Sequence, residues 1–116
     1  MRSVAAGYEA GVSKILLVRT TVADAASADR LARQIVEERL AACATFSAAR
    51  SVYRWLGTVE TNDETEILFK TTLDRAVLLR ARIKALHSYD LAVIEAWEAE
   101  VDPPVSDWVY GATGNL

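Results

Sequence analysis

Apolar residues along the chain follow two different periods, and the change of period predicts where strands and helices lie. Residues 14–22, KILLVRTTV, form an almost unbroken apolar and β-branched run, which predicts a central strand covered by helices on at least one face. Asp24 then offers a helix N-cap. From Asp24 to Leu40 the apolar residues recur every three or four positions, which predicts an amphipathic helix. These apolar positions are Ala28, Leu31, Ala32, Ile35, Val36 and Leu40.

A pair of strands and a second helix follow. In residues 50–60, RSVYRWLGTVE, the side chains alternate with period two, and Gly57 and the TND run at 61–63 supply possible turns before a strand over 64–71. Thr71 can cap a second helix, because an apolar stripe at steps of three and four begins after it. That stripe consists of Leu73, Ala76, Leu79, Ile83 and Leu86.

The last predicted strand, residues 90–101, ends before a Pro-Pro pair, and the VSDWVY run after it indicates a short helical turn. The predicted order is therefore β-α-β-β-α-β. Two helices on one face of an antiparallel four-stranded sheet form the ferredoxin-like sandwich, an α+β fold. We expect residues 1–13 to be a flexible tail. We expect residues 14–116 to form one domain, because 116 residues is a usual size for a single domain.

The predicted strands carry more aromatic surface than a lone small sheet requires. Tyr53, Trp55 and Trp97 all lie in strands, and a ferredoxin-like sheet has one face that its own helices leave open. A large exposed apolar patch usually marks an interface. We therefore expect an oligomer.

Composition and charge remove several classes of function. The chain is 52% apolar and 25% charged, which is typical of a globular protein, and its net charge of −3 is scattered. The sequence has neither a basic field for nucleic acid nor a basic amphipathic run for a membrane surface. It also lacks an apolar run of the ~20 residues that cross a bilayer, and its first residues do not fit a secretory signal. We expect a cytoplasmic protein that binds neither nucleic acid nor a membrane.

Four segments together resemble the CutA divalent-cation tolerance family, and the likeness runs from about Lys14 to Val109. The segments are ERLAAC (38–43), SVYRWLGTVE (51–60), ETEILFKT (64–71) and HSYD (87–90). The resemblance implies a ferredoxin-like homotrimer whose β2–β3 hairpins exchange edges between subunits. It further implies that Cu²⁺ or another divalent cation is the ligand, with no organic cofactor and no catalytic activity.

The chain departs from the family pattern near its C-terminal end. Ser88 and Ala92 occupy places where the family has prolines, and Val105 stands where it has a tyrosine. A missing proline frees φ, so we expect a less rigid loop after the second helix.

Cys43 is the chain's single cysteine, and three roles are open to it. Free cysteine often behaves as a small buried hydrophobe, and the neighbouring alanines offer no base, so packing is the simplest interpretation. A nucleophile would need His87, the one histidine, within hydrogen-bond reach. The predicted topology places Cys43 and His87 at opposite ends of the sheet, which excludes that pair within one subunit. The resemblance implies a third role, that of a soft metal ligand.

His87 has carboxylates in its predicted neighbourhood. Glu64 begins a strand at the same end of the sheet, and Tyr89 and Asp90 follow the histidine. An imidazole with carboxylates at a subunit border can hold Cu²⁺ or Zn²⁺. Alternatively, His87 caps the C-terminus of the second helix. With the resemblance, the predicted metal ligands are His87, Glu64 and Cys43.

A second group of residues is predicted to line a cleft between subunits: Tyr53, Trp55, Lys70 and Tyr89. Packing is the alternative for the aromatic residues, and an ion pair with Glu64 is the alternative for Lys70. A cleft of this kind would suit a trimeric sensor of the PII type that binds a metabolite or nucleotide, although the chain lacks a glycine-rich phosphate cradle. Acylphosphatases share the strand order, but they need an arginine loop beside an asparagine, which is not found here. We do not expect an enzyme.

Overall fold

A computed structural model describes residues 12–114, whose elements follow the order β-α-β-β-α-β-α. The predicted tail therefore lies outside the described residues, apart from its last two positions. The strands are β1 (Ser13–Val22), β2 (Cys43–Trp55), β3 (Thr58–Thr71) and β4 (Glu95–Val101). The helices are α1 (Ala25–Glu37), α2 (Ala76–Leu86) and α3 (Pro103–Thr113). The strands form one antiparallel sheet in the order β2-β3-β1-β4.

The hydrophobic core lies between the sheet and helices α1 and α2. Alternate side chains of β1 and β3 point toward the helices, because successive residues of a strand face opposite ways. Val18, Ile67 and Phe69 are fully buried there, in one cluster with Ile35 of α1 and Ile83 of α2. The predicted ferredoxin-like sandwich is confirmed. Its other face, which α1 and α2 do not cover, is called the open face below.

Helix α1 begins as predicted and ends three residues early. The Asp24 carboxylate accepts the Ser27 N–H at 2.8 Å, and this hydrogen bond lowers the pKa of Asp24. At the other end the Leu40 N–H donates to the Ile35 carbonyl at 3.1 Å, across a turn in which Arg39 has φ of 61°. This is a Schellman motif, whose left-handed position normally holds glycine.

Replacing Arg39 with glycine should therefore stabilise the protein. Glycine adopts positive φ without steric cost, so Arg39→Gly should raise the free energy of unfolding in urea by about 0.5–1 kcal/mol. Arg39→Ala keeps a Cβ and should give no such gain. Equal gains from the two variants would show that backbone strain at Arg39 is not the cause.

Two predicted boundaries around α2 and α3 are wrong. Thr71 belongs to β3, where its hydroxyl donates to the Leu40 carbonyl at 2.7 Å, and α2 begins only after a 3₁₀ turn over Leu73–Arg75. The Pro-Pro pair opens the eleven-residue helix α3 instead of preceding a short turn. Proline suits the first turn of a helix because the N–H groups there lack an intrahelical partner.

The β2–β3 hairpin turns at Leu56-Gly57, where both residues have positive φ between the paired Trp55 and Thr58. This two-residue loop has the geometry typical of tight hairpins. The run at 61–63, predicted as a possible turn, instead continues β3, since it pairs with residues 50–52 of β2. The hairpin is consequently longer than the sequence pattern indicated.

The end of this hairpin projects beyond the sheet. Pairing between β1 and β3 stops at Val22 and Thr65, whereas pairing between β2 and β3 continues to Trp55 and Thr58. Residues 49–64 thus form a two-stranded extension, which we call the arm. The radius of gyration is 16.5 Å, whereas a compact domain of this size has about 13 Å. An isolated two-stranded hairpin is marginally stable, and the arm gains its stability in the single chain by continuing the β2–β3 pairing of the sheet.

Candidate functional site

A groove of about 740 Å³ lies between the arm and the segment that leads from α2 to β4. We call it the arm groove. On the arm side it is lined by Ser51, Tyr53, Arg54, Trp55, Asn62 and Glu64. On the other side it is lined by Thr21 and by residues 88–91 and Val93. Residues 90–94, predicted as part of the last strand, are irregular and form this wall instead.

Tyr89 and Glu64 join the two walls of the arm groove. The Tyr89 hydroxyl donates to Oε2 of Glu64 at 2.8 Å. Burial, followed by the hydrogen bond to Glu64, raises the pKa of Tyr89 to about 12. At neutral pH the phenol is therefore protonated and acts as a hydrogen-bond donor to the carboxylate.

The raised pKa of Tyr89 predicts a loss of stability in alkaline solution. Below about pH 10 the phenol is protonated in both the folded and the unfolded chain, so its contribution is fully present. Between pH 10 and about 12 the unfolded chain loses the proton while the folded chain keeps it, and the free energy of unfolding falls as pH rises. Urea titrations across this range should show a shallower fall for Tyr89→Phe than for wild type. Tyr110→Phe, outside the groove, should keep the wild-type slope.

His87 anchors the segment that carries Tyr89. Its Nε2 lies 2.7 Å from the Thr21 carbonyl oxygen, and its Nδ1 lies 3.1 Å from the Tyr89 amide nitrogen. A carbonyl only accepts and an amide N–H only donates, so Nε2 carries the proton and Nδ1 is the acceptor. The rings of His87 and Tyr89 are also in contact, with their centroids 4.8 Å apart. His87 is the C-cap residue of α2, but its ring nitrogens bond Thr21 and Tyr89 rather than carbonyls of the helix, so the side chain does not cap it in the predicted way.

Cys43 lies away from this end of the sheet. It pairs with Lys70 of β3, six positions from Glu64, which corresponds to about 20 Å along the strand. The Cys43 side chain is half-buried on the open face, with its sulfur 3.9 Å from the Thr45 hydroxyl. Within one chain Cys43 therefore contacts neither His87 nor Glu64, in agreement with the topological argument.

Within one chain, Lys70 lies apart from the other residues predicted to line a cleft between subunits. Strand pairing puts Lys70 and Tyr53 on the same face of the sheet, because directly paired residues share a face. However, Lys70 pairs with Cys43 at one end of the hairpin, while Tyr53 pairs with Glu60 in the arm at the other. Of the predicted cleft residues, Tyr53, Trp55 and Tyr89 line the arm groove and Lys70 does not.

The aromatic strand residues lie on the open face. The sequence predicts that they provide more aromatic surface than a single small sheet requires. Strand pairing places Tyr53, Trp55 and Trp97 on that face, and each is more than a third exposed. Trp97 is partly covered by the Arg19 guanidinium, 5.2 Å from its ring centroid, and Arg19 also pairs with Glu95 at 3.0 Å. The two arm aromatics have no such cover from a charged group among residues 12–114.

Several lining residues were missed by sequence reasoning. Asn62 was placed in a turn, yet it lies in β3 and its amide hydrogen-bonds the Tyr53 hydroxyl. Thr21 and Val93 belong to no recognisable sequence motif. They reach the groove only through the tertiary fold, so the sequence gives no signal for them. Alternation along β2 was a usable signal for Ser51, which shares its face with Tyr53 and Trp55. No cluster of three or more His, Cys, Asp or Glu side chains suited to a metal ion occurs within residues 12–114.

These features define a ferredoxin-like α+β protein with an extended β2–β3 arm beside a groove. Residues 16–112 match the sequence model of the CutA1 divalent ion tolerance protein, and the chain belongs to this family. Two relatives are named divalent-cation tolerance protein CutA. The one from Pyrococcus horikoshii is 34% identical over 85% of this chain and 98% of its own. The one from Thermus thermophilus is 39% identical over 84% of this chain and 97% of its own.

The three-dimensional likeness is equally broad. The structure of CutA from Synechococcus elongatus superposes with a TM-score of 0.85 and 27% identity, covering 89% of this chain and 96% of that one. Among the described helices, none is both long enough and apolar enough to cross a membrane.

Proposed function

We propose that this protein acts in divalent metal-ion tolerance as a homotrimer without catalytic activity, and that it binds copper or a similar ion at or near its subunit borders. Family membership supports the role in ion tolerance. The observation that supports a homotrimer is the arm, a two-stranded hairpin that extends past the sheet with exposed apolar side chains. These are Val52, Leu56 and Val59.

The sheet edges favour association through strands. In the order β2-β3-β1-β4, the outer strands β2 and β4 each have one edge without a pairing partner in residues 12–114. Such edges readily accept a strand from another chain. An arm that reaches beyond its own sheet is suited to pair with an edge of the next copy, and three copies can close a ring in this way.

The proposed ion site is completed by more than one copy. Glu64 and His87 lie at the same end of the sheet, and Cys43 lies about 20 Å from Glu64 along β3. An ion shared by all three predicted ligands must therefore take Cys43 from another subunit. His87 can ligate only by giving up one of its two ring hydrogen bonds, whereas Glu64 has one carboxylate oxygen that accepts nothing from residues 12–114.

Titration calorimetry with Cu²⁺ tests this proposal. Wild type, Glu64→Gln, His87→Ala and Cys43→Ser are compared with Glu98→Gln, a carboxylate on β4 that is outside the groove. We expect weaker binding for Glu64→Gln and wild-type binding for Glu98→Gln. A His87→Ala isotherm identical to wild type would remove His87 from the ligand set. No saturable heat with any divalent ion would overturn the metal proposal.

A second candidate function is a trimeric PII-like sensor of a small molecule. The specific observation in its favour is the volume of the arm groove, about 740 Å³, which falls within the range of small-molecule sites. Thermal-shift screening against nucleotides and metabolites would test it, because a ligand of the native state raises the melting temperature. Unchanged melting with every compound would count against it.

We also place the protein in the cytoplasm, with neither nucleic acid nor membrane as a partner. Cys43 is a free thiol, which suits a reducing compartment. The net charge of −3 gives no attraction to phosphate backbones or anionic lipid. Cell fractionation is the direct check.

A further inference from the structure

The arm groove concentrates negative charge and aromatic faces at one of its ends. Glu64 and Asp90 supply carboxylates to the lining, and Tyr89, which precedes Asp90 in the chain, donates its hydroxyl to Glu64. Tyr53, whose hydroxyl bonds Asn62 two residues before Glu64, lines the same end and is more than a third exposed. Trp55 pairs with Thr58, six positions from Glu64, and lies toward the other end. The acidic end near Glu64 therefore offers carboxylates and aromatic rings rather than a purely apolar surface.

Glu64 has capacity for a further charged partner. Its Oε2 accepts the Tyr89 hydroxyl, and among residues 12–114 it takes part in no ion pair. It is also half-buried, which strengthens an electrostatic contact relative to one in open solvent. A cation in the groove would find an incompletely used carboxylate.

The positive charge that lines the groove lies at its far end. Arg54 pairs with Val59 near the tip of the arm and approaches the Gly57 carbonyl at 3.5 Å. Val59 and Glu64 are five positions apart on β3, which corresponds to about 17 Å. Arg54 therefore does not neutralise the acidic end.

The acidic end suits an organic cation better than a bare ion within one chain. A divalent ion requires several ligating groups, and residues 12–114 contain no cluster of three suitable side chains. An organic ammonium requires only a counter-charge and aromatic faces, which attract it through the ring quadrupole. Two carboxylates also disfavour an anionic ligand such as a nucleotide at this end.

We propose that the acidic end of the arm groove binds an organic ammonium compound, with Glu64 as the counter-charge and Tyr53 and Tyr89 as the aromatic contacts. This deepens the second candidate function, on which it rests, by naming the ligand class. It shares Glu64 with the proposed ion site between subunits, so it is tested with metal ions removed.

The test compares two probes of the same shape, choline and 3,3-dimethylbutan-1-ol, by NMR chemical-shift titration in the presence of EDTA. Choline should bind with a Kd on the order of 1 mM, and the uncharged alcohol should bind at least about tenfold more weakly. Glu64→Gln should weaken choline binding about tenfold, because a charge-assisted contact is lost. Tyr53→Leu should also weaken it, while the matched control Glu98→Gln should leave it unchanged.

Each other outcome contradicts the proposal in a distinct way. Equal binding of choline and the alcohol, or unaltered choline affinity in Glu64→Gln, would show that charge is not recognised. Binding of a nucleotide without choline would mean that the groove is a sensor site for another ligand class. Failure of every small molecule would overturn the second candidate function as well. Copper titration and oligomeric mass are measured separately, so their failure would not be confused with any of these results.

Discussion

Replacing both Val52 and Val59 with aspartate should reduce the protein to folded monomers at micromolar concentration. The two valines are 67% and 61% exposed in the single chain, and strand pairing puts them on the arm face opposite Tyr53 and Trp55. If the arm packs on another copy, each new carboxylate is buried without a partner, at a cost of several kcal/mol. Sedimentation velocity and circular dichroism together would report loss of assembly with retained secondary structure.

A matched control separates the arm from exposed apolar surface in general. Val77 is 78% exposed on α2, far in sequence from the arm, and Val77→Asp should leave the assembly intact. Dissociation by Val77→Asp, or persistence of the assembly in the double arm variant, would show that the arm is not the contact surface.

Phe69→Ala should be the most damaging single core substitution. Phe69 is fully buried in β3 within the cluster that joins the sheet to α1 and α2, so truncation leaves a cavity where several side chains meet. The expected loss in the free energy of unfolding is about 3–5 kcal/mol, measured in urea at fixed protein concentration.

Phe46→Ala provides the comparison for Phe69→Ala. Phe46 lies in β2 on the same face of the sheet, but it is 37% exposed at the sheet edge. Its truncation removes less buried contact and should cost less than half as much as that of Phe69. Equal losses would mean that another copy buries Phe46 in solution, or that the core at Phe69 relaxes to fill the cavity.

The sequence predicted those parts of the fold that local patterns determine. The apolar run of β1, the Asp24 cap and the helical stripe of α1 depend on neighbouring residues, and the structure confirms them. The turn at Leu56-Gly57 was harder to place, since the run at 61–63 has equally good turn chemistry. The choice between them depends on cross-strand pairing over the whole hairpin, which no short window contains.

The candidate site shows the same division. Alternation identified the face that Tyr53 and Trp55 share, but it carries no information about position along the hairpin, so it did not reveal that Lys70 lies at the other end of the hairpin in one chain. Likewise, His87 was recognised as chemically important from its residue type. Its ring contacts with Thr21 and Tyr89 arise from tertiary packing, and sequence spacing gives no access to them.

The arm also links the fold to the proposed function. It forms one wall of the groove, and in the proposed trimer its other face would contact a neighbouring copy, so assembly and ligand binding would involve the same hairpin. Such contacts would stabilise a two-stranded extension that has little burial of its own.

Everything proposed for the arm depends on self-association of the chain, and sedimentation equilibrium of the wild-type protein at micromolar concentration measures this directly. We predict a single species with three times the 12.7 kDa mass of one chain. A mass equal to that of one chain would contradict the account, because the arm would then have no partner and no subunit border would exist at which to hold an ion.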